Sequence, residues 1–284
     1  MASKPICSLA LLLASALPAC AQPASPPALA AENVAAPAYA DVADLVIASD
    51  LVIDAAIAST VRIKGAEAAN VPPGVTRYYV EADVTALIRG INAVAPRVGY
   101  VLDAPLGPDG RQPKFKKARV LLFARAVAGS PGQIQLVTPD AQRGWTPALD
   151  AVTRRIAGEL VAGDAPPVVT GIGNAFHVPG SLPGEGETQV FLTTRDNRPV
   201  SLSILRRPGE QPRWAVALSE IVDDAAGPPP RDSLLWYRLA CALPPVLPQR
   251  STHALDANDA RIAQDDYRFV VAQLGPCRRD GAGG

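Results

Sequence analysis

The residues best equipped for chemistry lie between positions 177 and 187. His177, Ser181, Glu185 and Glu187 place an imidazole, a hydroxyl and two carboxylates in one Gly- and Pro-rich stretch. A hydrolase needs these types: a nucleophile, a base that takes its proton and an acid that orients the base. A short loop rarely folds back far enough to join all three, and no Gly-x-Ser-x-Gly nucleophile elbow occurs in the chain. The stretch is therefore expected to be a polar surface loop leading into a strand. Catalysis through it is the rival reading.

Other chemistry is sparse. His177 and His253 are the two histidines, which excludes a multi-histidine metal site within one chain. No metal and no cofactor is expected. Paired carboxylates occur at Asp223-Asp224 and Asp265-Asp266. Neighbours on a helix point in different directions, so the second pair reads as a solvated helix face. Gly171 to Phe176 follows a short strand, Val168 to Thr170, as a dinucleotide loop would. Phe176 stands where a third small residue is needed and no amphipathic helix follows, so nucleotide binding is not expected.

One basic cluster stands out. Lys114, Lys116, Lys117 and Arg119 surround Phe115. They are candidates for binding an anionic envelope polymer or a phospholipid head group. The blander reading is a solvated strand start whose lysines discourage edge pairing. Lys plus Arg equals Asp plus Glu at 27 each, so no net cationic field draws the chain to nucleic acid.

The address comes from the N-terminus. Lys4 precedes an apolar run from Ile6 to Leu17, and Leu17-Pro18-Ala19-Cys20-Ala21 supplies small residues at cleavage spacing. Residues 1–21 read as a secretory signal peptide, the run being shorter than the roughly 20 residues that span a bilayer. Cleavage before Gln22 gives a periplasmic or secreted protein. The same residues also resemble a lipobox, which would make Cys20 the acylated N-terminus of a lipoprotein. Residues 22–41 are Ala- and Pro-rich and read as a disordered tether. Cys241 and Cys277 remain after the leader, and two thiols in an oxidising compartment usually form a disulfide. No later segment is apolar enough for a transmembrane helix in the mature chain.

Two regions must position these groups. Residues 42–140 alternate apolar and polar side chains in five strands: Leu51–Ile63, Thr76–Val84, Arg97–Asp103, Ala118–Val127 and Gln133–Val137. They predict a small antiparallel β-barrel or sandwich, similar in layout to the small barrel modules of exported bacterial proteins. Residues 141–284 predict an α+β domain. Thr146-Pro147 starts a helix carrying Leu149, Val152, Ile156 and Leu160. A three-stranded meander follows between Thr188 and Leu218 and is expected to pack on that helix. Two closing helices, Ser233–Leu243 and Asp259–Leu274, carry Cys241 within the first and Cys277 just beyond the second.

The stretches Gly184 to Leu192 and Trp236 to Cys241 resemble uncharacterised exported proteins of GC-rich Gram-negative bacteria. That resemblance implies export and brings no activity. The expected function is a non-catalytic binding or assembly factor of the cell envelope, with an envelope protein or anionic polymer as partner. The rivals are a periplasmic hydrolase using the 177–187 stretch and a lipid-anchored structural protein.

Overall fold

Alternation of apolar side chains closes the first half into a barrel. β1 (Leu51–Arg62), β2 (Val75–Arg89), β3 (Arg97–Pro105), β4 (Arg119–Ala126) and β5 (Ile134–Leu136) run in the order β3-β2-β1-β4-β5, with β6 (Gln142–Gly144) paired to β4. The first four strands thus make a Greek key. In this computed structural model, which describes residues 37–107, 109–219 and 227–279, a parallel bridge from Gly99 to Gln133 brings β5 back to β3. The sheet is therefore a nearly closed five-stranded barrel. The expected signal peptide, Cys20, most of the expected tether and Asp223-Asp224 lie outside the described residues.

The barrel interior is built from every second residue. Ile53, Ala55 and Ile57 meet Tyr78, Val80 and Ala82, with Tyr100, Leu102 and Leu122 opposite. Gly99 permits a close approach at the seam. A Cβ there would overlap the Tyr79 hydroxyl, which lies across β3 and accepts a hydrogen bond from Gln133 Nε2 at 2.9 Å.

The outer faces of β1 and β4 are covered too. Val52, Leu121 and Phe123 enter a second core shared with α1 (Tyr39–Ala48), α2 (Pro147–Val161), α3 (Leu234–Ala240), α4 (Ala257–Leu274) and a second sheet. Residues from both sides of position 140 build this core, and the described residues belong to one compact unit. Burial on both faces explains why Leu51 to Ala55 is buried without a break.

α1 begins inside the stretch expected to be tether. Tyr39 and Ala40 are buried, and the Tyr39 ring stands edge-on to Trp236 at 6.1 Å. Its Ala-rich start offers no side-chain cap, so the sequence carries no helix-start signal there. α2 starts as expected: Leu149 N–H donates to Thr146 Oγ1 at 3.1 Å, with Pro147 at the first helical position.

The second sheet has four strands rather than three. β7 (Val169–Pro179), β8 (Gly186–Thr194), β9 (Val200–Arg206) and β10 (Arg213–Ala217) form an antiparallel meander in the order β10-β9-β8-β7. The extra strand, β7, runs through Gly171 to Phe176, where a loop is expected from sequence. Register shifts at Gly171 and between Ile172 and Ala175 absorb the glycines as irregularities of the strand. α4 packs against β7 and β8, whereas α2 packs on α1, α3 and β2. The expected pairing of α2 with the meander is therefore replaced by α4, whose buried face of Ala263, Tyr267, Val270 and Leu274 meets the sheet.

Cys241 and Cys277 form a disulfide, with Cα atoms 5.1 Å apart, that joins the end of α3 to the segment after α4. Among the described residues no helix is long and apolar enough to cross a membrane.

Candidate functional site

β7 and β8 pair His177 with Thr188 and Val178 with Glu187. Side chains alternate between the faces of a strand. His177 and Thr188 therefore turn toward the core, with 7% and 0% of their surface exposed, while Glu187 lies on the opposite face. Glycine at 186 makes room for the ring, since a Cβ there would stand 2.7 Å from His177 Cε1.

A buried polar chain holds the imidazole. Thr188 Oγ1 donates to Asp266 Oδ2 at 2.5 Å. A hydroxyl has one hydrogen, so at its other contact, 2.9 Å from His177 Nδ1, Thr188 accepts. The proton of His177 is thereby placed on Nδ1 and the lone pair on Nε2. Asp266 has no exposed surface, and its Oδ1 accepts from Arg206 Nε at 2.5 Å. The order is His177–Thr188–Asp266–Arg206.

Burial raises the proton affinity of the Asp266 carboxyl above its ordinary value, against the opposing pull of Thr188 and Arg206. A protonated Asp266 would donate to Thr188, which would then donate to His177 Nδ1. The imidazole hydrogen would move to Nε2. The state of a fully buried carboxyl thus sets the hydrogen-bonding character of His177.

His177 opens on a cleft of about 500 Å³, lined also by Ser181, Glu185, Arg206, Arg261 and Asp265. Three of the four residues that the sequence offers for hydrolysis, His177, Ser181 and Glu185, therefore line one recess. The two carboxylates are committed elsewhere. Glu185 Oε2 accepts the backbone N–H groups of Ser181 at 2.9 Å and Leu182 at 3.2 Å, which clasps the β7–β8 turn. Glu187 Oε1 accepts from Gln189 Nε2 and Ser203 Oγ, both at 2.9 Å. The acid that reaches His177 is instead Asp266, through Thr188.

Thr188, Arg206 and Asp266 are the site residues that the sequence reading missed. The expected solvated face holds for half-buried Asp265, which pairs with Arg261 and Arg268 at the surface, and fails for Asp266. Asp266 sits among Ala263, Tyr267 and Val270, on the helix face that is buried. A carboxylate at an apolar-face position was the available signal.

The basic cluster divides. Lys114, Lys116 and Lys117 are exposed. Phe115 stands edge-on to Tyr78 at 5.6 Å and packs on the barrel core. Arg119 is not open to a ligand in the way its neighbours are. Its Nε and Nη2 donate to Asp54 at 2.9 and 2.6 Å, and its guanidinium lies 3.9 Å over the Trp145 ring. Asp54 is 1% exposed, so this cation offsets a buried charge. His253 caps a surface turn, with Nδ1 2.7 Å from the Arg250 carbonyl. Among the described residues no three His, Cys, Asp or Glu side chains gather as metal ligands would.

No protein-family model matches the chain, and no curated protein matches it.

Proposed function

We propose that the protein is an exported, non-catalytic binding or assembly factor of a Gram-negative cell envelope, which holds a polar ligand in the His177 cleft. One observation carries this reading: His177 is fixed by the buried Thr188–Asp266–Arg206 chain at the wall of a cleft. Pockets that recognise ligands are concave and set a few polar groups on a rigid frame, and here strands β7–β9 and α4 supply that frame. Export is supported by the leader-like N-terminus and by the disulfide between Cys241 and Cys277. The partner is an envelope protein or an anionic envelope polymer.

A periplasmic hydrolase is the second reading, favoured by the shared cleft of His177 and Ser181. One experiment separates the two. A strain lacking the protein is complemented with wild type, Ser181→Ala or His177→Ala, and abundance and melting are checked for each. Binding predicts that Ser181→Ala complements fully and His177→Ala weakly. Loss of complementation by a folded, abundant Ser181→Ala replaces the binding reading with hydrolysis.

A further inference from the structure

The face of the second sheet that turns away from His177 carries a patch of its own. Pairing of β7 with β8 and of β8 with β9 sets Val178, Glu187 and Leu205 in one row across the strands, and Phe176 and Gln189 in the next. Phe191 follows Gln189 by two positions and so shares the face. Val178 is 65% exposed, Phe176 45%, Phe191 41% and Leu205 36%. The two phenylalanine rings stand edge to face, with centroids 5.8 Å apart. α4 packs on the other side of these strands, where Asp266 meets Thr188. An exposed group of apolar side chains beside polar ones marks a contact surface.

Glu187 supplies the charge. Its Oε1 accepts from Gln189 Nε2 and Ser203 Oγ, both neutral donors, and among the described residues the carboxylate forms no ion pair. Arg213, at the far end of the same row, lies 3.4 Å from Glu210. The uncompensated charge on this face is therefore negative.

We propose that this face docks a partner polypeptide through a lysine or arginine that lays its hydrocarbon stem on Phe176 and Phe191 and its charged head against Glu187. Charge complementarity selects the partner. Two neutral hydrogen bonds fix the Glu187 carboxylate in place and leave its attraction for a cation uncancelled. Lysine and arginine join an apolar stem to a charged head, and a cation beside aromatic rings gains further attraction. Both halves find a counterpart here, because Phe176 and Glu187 are diagonal neighbours across β7 and β8, a separation that long side chains bridge. An anionic lipid or polymer is repelled by Glu187, and a neutral glycan leaves it unpaired. Aromatic side chains at the centre of a patch are also the composition of protein–protein contacts.

The test uses the full chain in the cells that make it. The photoreactive residue p-benzoylphenylalanine replaces Val178, and in a control it replaces Lys116 on the barrel. Irradiation should join position 178, and not position 116, to a second polypeptide, and mass mapping of the adduct should place the contact beside a lysine or arginine of that partner. Glu187→Gln removes the charge and keeps a carbonyl acceptor for Gln189 and Ser203. It should lower the adduct yield by about threefold to fivefold, the loss expected for a partly exposed ion pair. Glu187→Lys should lower it further, and Phe191→Ala should also lower it. Melting of each variant shows that it is folded, and Glu187→Gln alone decides the matter if Glu187→Lys is not. An adduct with lipid or glycan overturns the proposal, and so does an adduct between two copies of this chain, which would place a second copy on the face. A yield indifferent to the charge at position 187, or no adduct at position 178, overturns it as well. None of these readouts depends on the His177 cleft, so the two readings fail separately.

Discussion

Thr188 and Asp266, 78 positions apart in the chain, meet at 2.5 Å inside the protein and fix the orientation of a third residue, His177. The contact links β8 to α4 and is paid for by burial of polar atoms in an otherwise apolar layer. Buried polar chains stay stable only when each member is satisfied, and here the members end at Arg206, which is one-third exposed.

Thr188→Val keeps the shape and removes the hydroxyl. It leaves His177 Nδ1 and Asp266 Oδ2 without their shared partner, so chemical denaturation should show a loss of about 1–3 kcal/mol. Nitrogen NMR of the imidazole should show the proton on Nδ1 in the wild type and a tautomer mixture in the variant. An unchanged spectrum would remove Thr188 from the chain.

Asp266 should leave a mark on the pH dependence of stability. Its folded proton affinity is raised, so the native state holds the proton more tightly than the unfolded chain, whose Asp titrates near about 3.9. The stability it contributes is complete below that value and declines as pH rises through the raised folded value. Asp266→Asn should lack this decline. Parallel curves for the two proteins would contradict the assigned direction.

Arg119→Ala should destabilise the protein, because it removes the nearer of two cations from the buried Asp54 carboxylate. Arg154 Nη2, 3.9 Å from Asp54, is the remaining cation. Replacing Lys114, Lys116 and Lys117 together by Glu should change stability by no more than about 0.5 kcal/mol. Urea titration of both proteins distinguishes a structural cation from three surface ones, and equal losses would erase the distinction.

Cys241→Ser opens a loop of 36 positions. Chain entropy predicts a loss of about 4 kcal/mol. The variant and the reduced wild type should melt together, below the oxidised protein. Identical melting of oxidised and reduced wild type would show that the bond does not bear on stability.

The legible parts of the fold were those with a local signal. Alternation from Leu51 to Ile57 and from Tyr78 to Ala82 marks the barrel strands, and Thr146-Pro147 marks the start of α2. α1 was hidden because its start has no cap and its composition continues that of the preceding Ala-rich stretch. β7 was cut short because Gly171 and Gly173 look like a loop and act as strand irregularities. His177 and Ser181 were visible as a candidate pair. Thr188, Arg206 and Asp266 were not, because their meeting depends on α4 docking against β7 and β8, a non-local event that no spacing along the chain encodes.

The placement of α1 also bears on mechanical load. Should the protein be held by its N-terminus, a pull enters the folded body at Tyr39. It passes directly to Trp236 and Tyr237 on α3, to which α1 is joined by ring contacts and by the hydrogen bond from Tyr237 to Asp44. The covalent link from Cys241 to Cys277 stands just behind that point. Force would therefore have to strip α1 from the aromatic cluster before it reached the barrel, and α3 could not then peel away from the C-terminal segment.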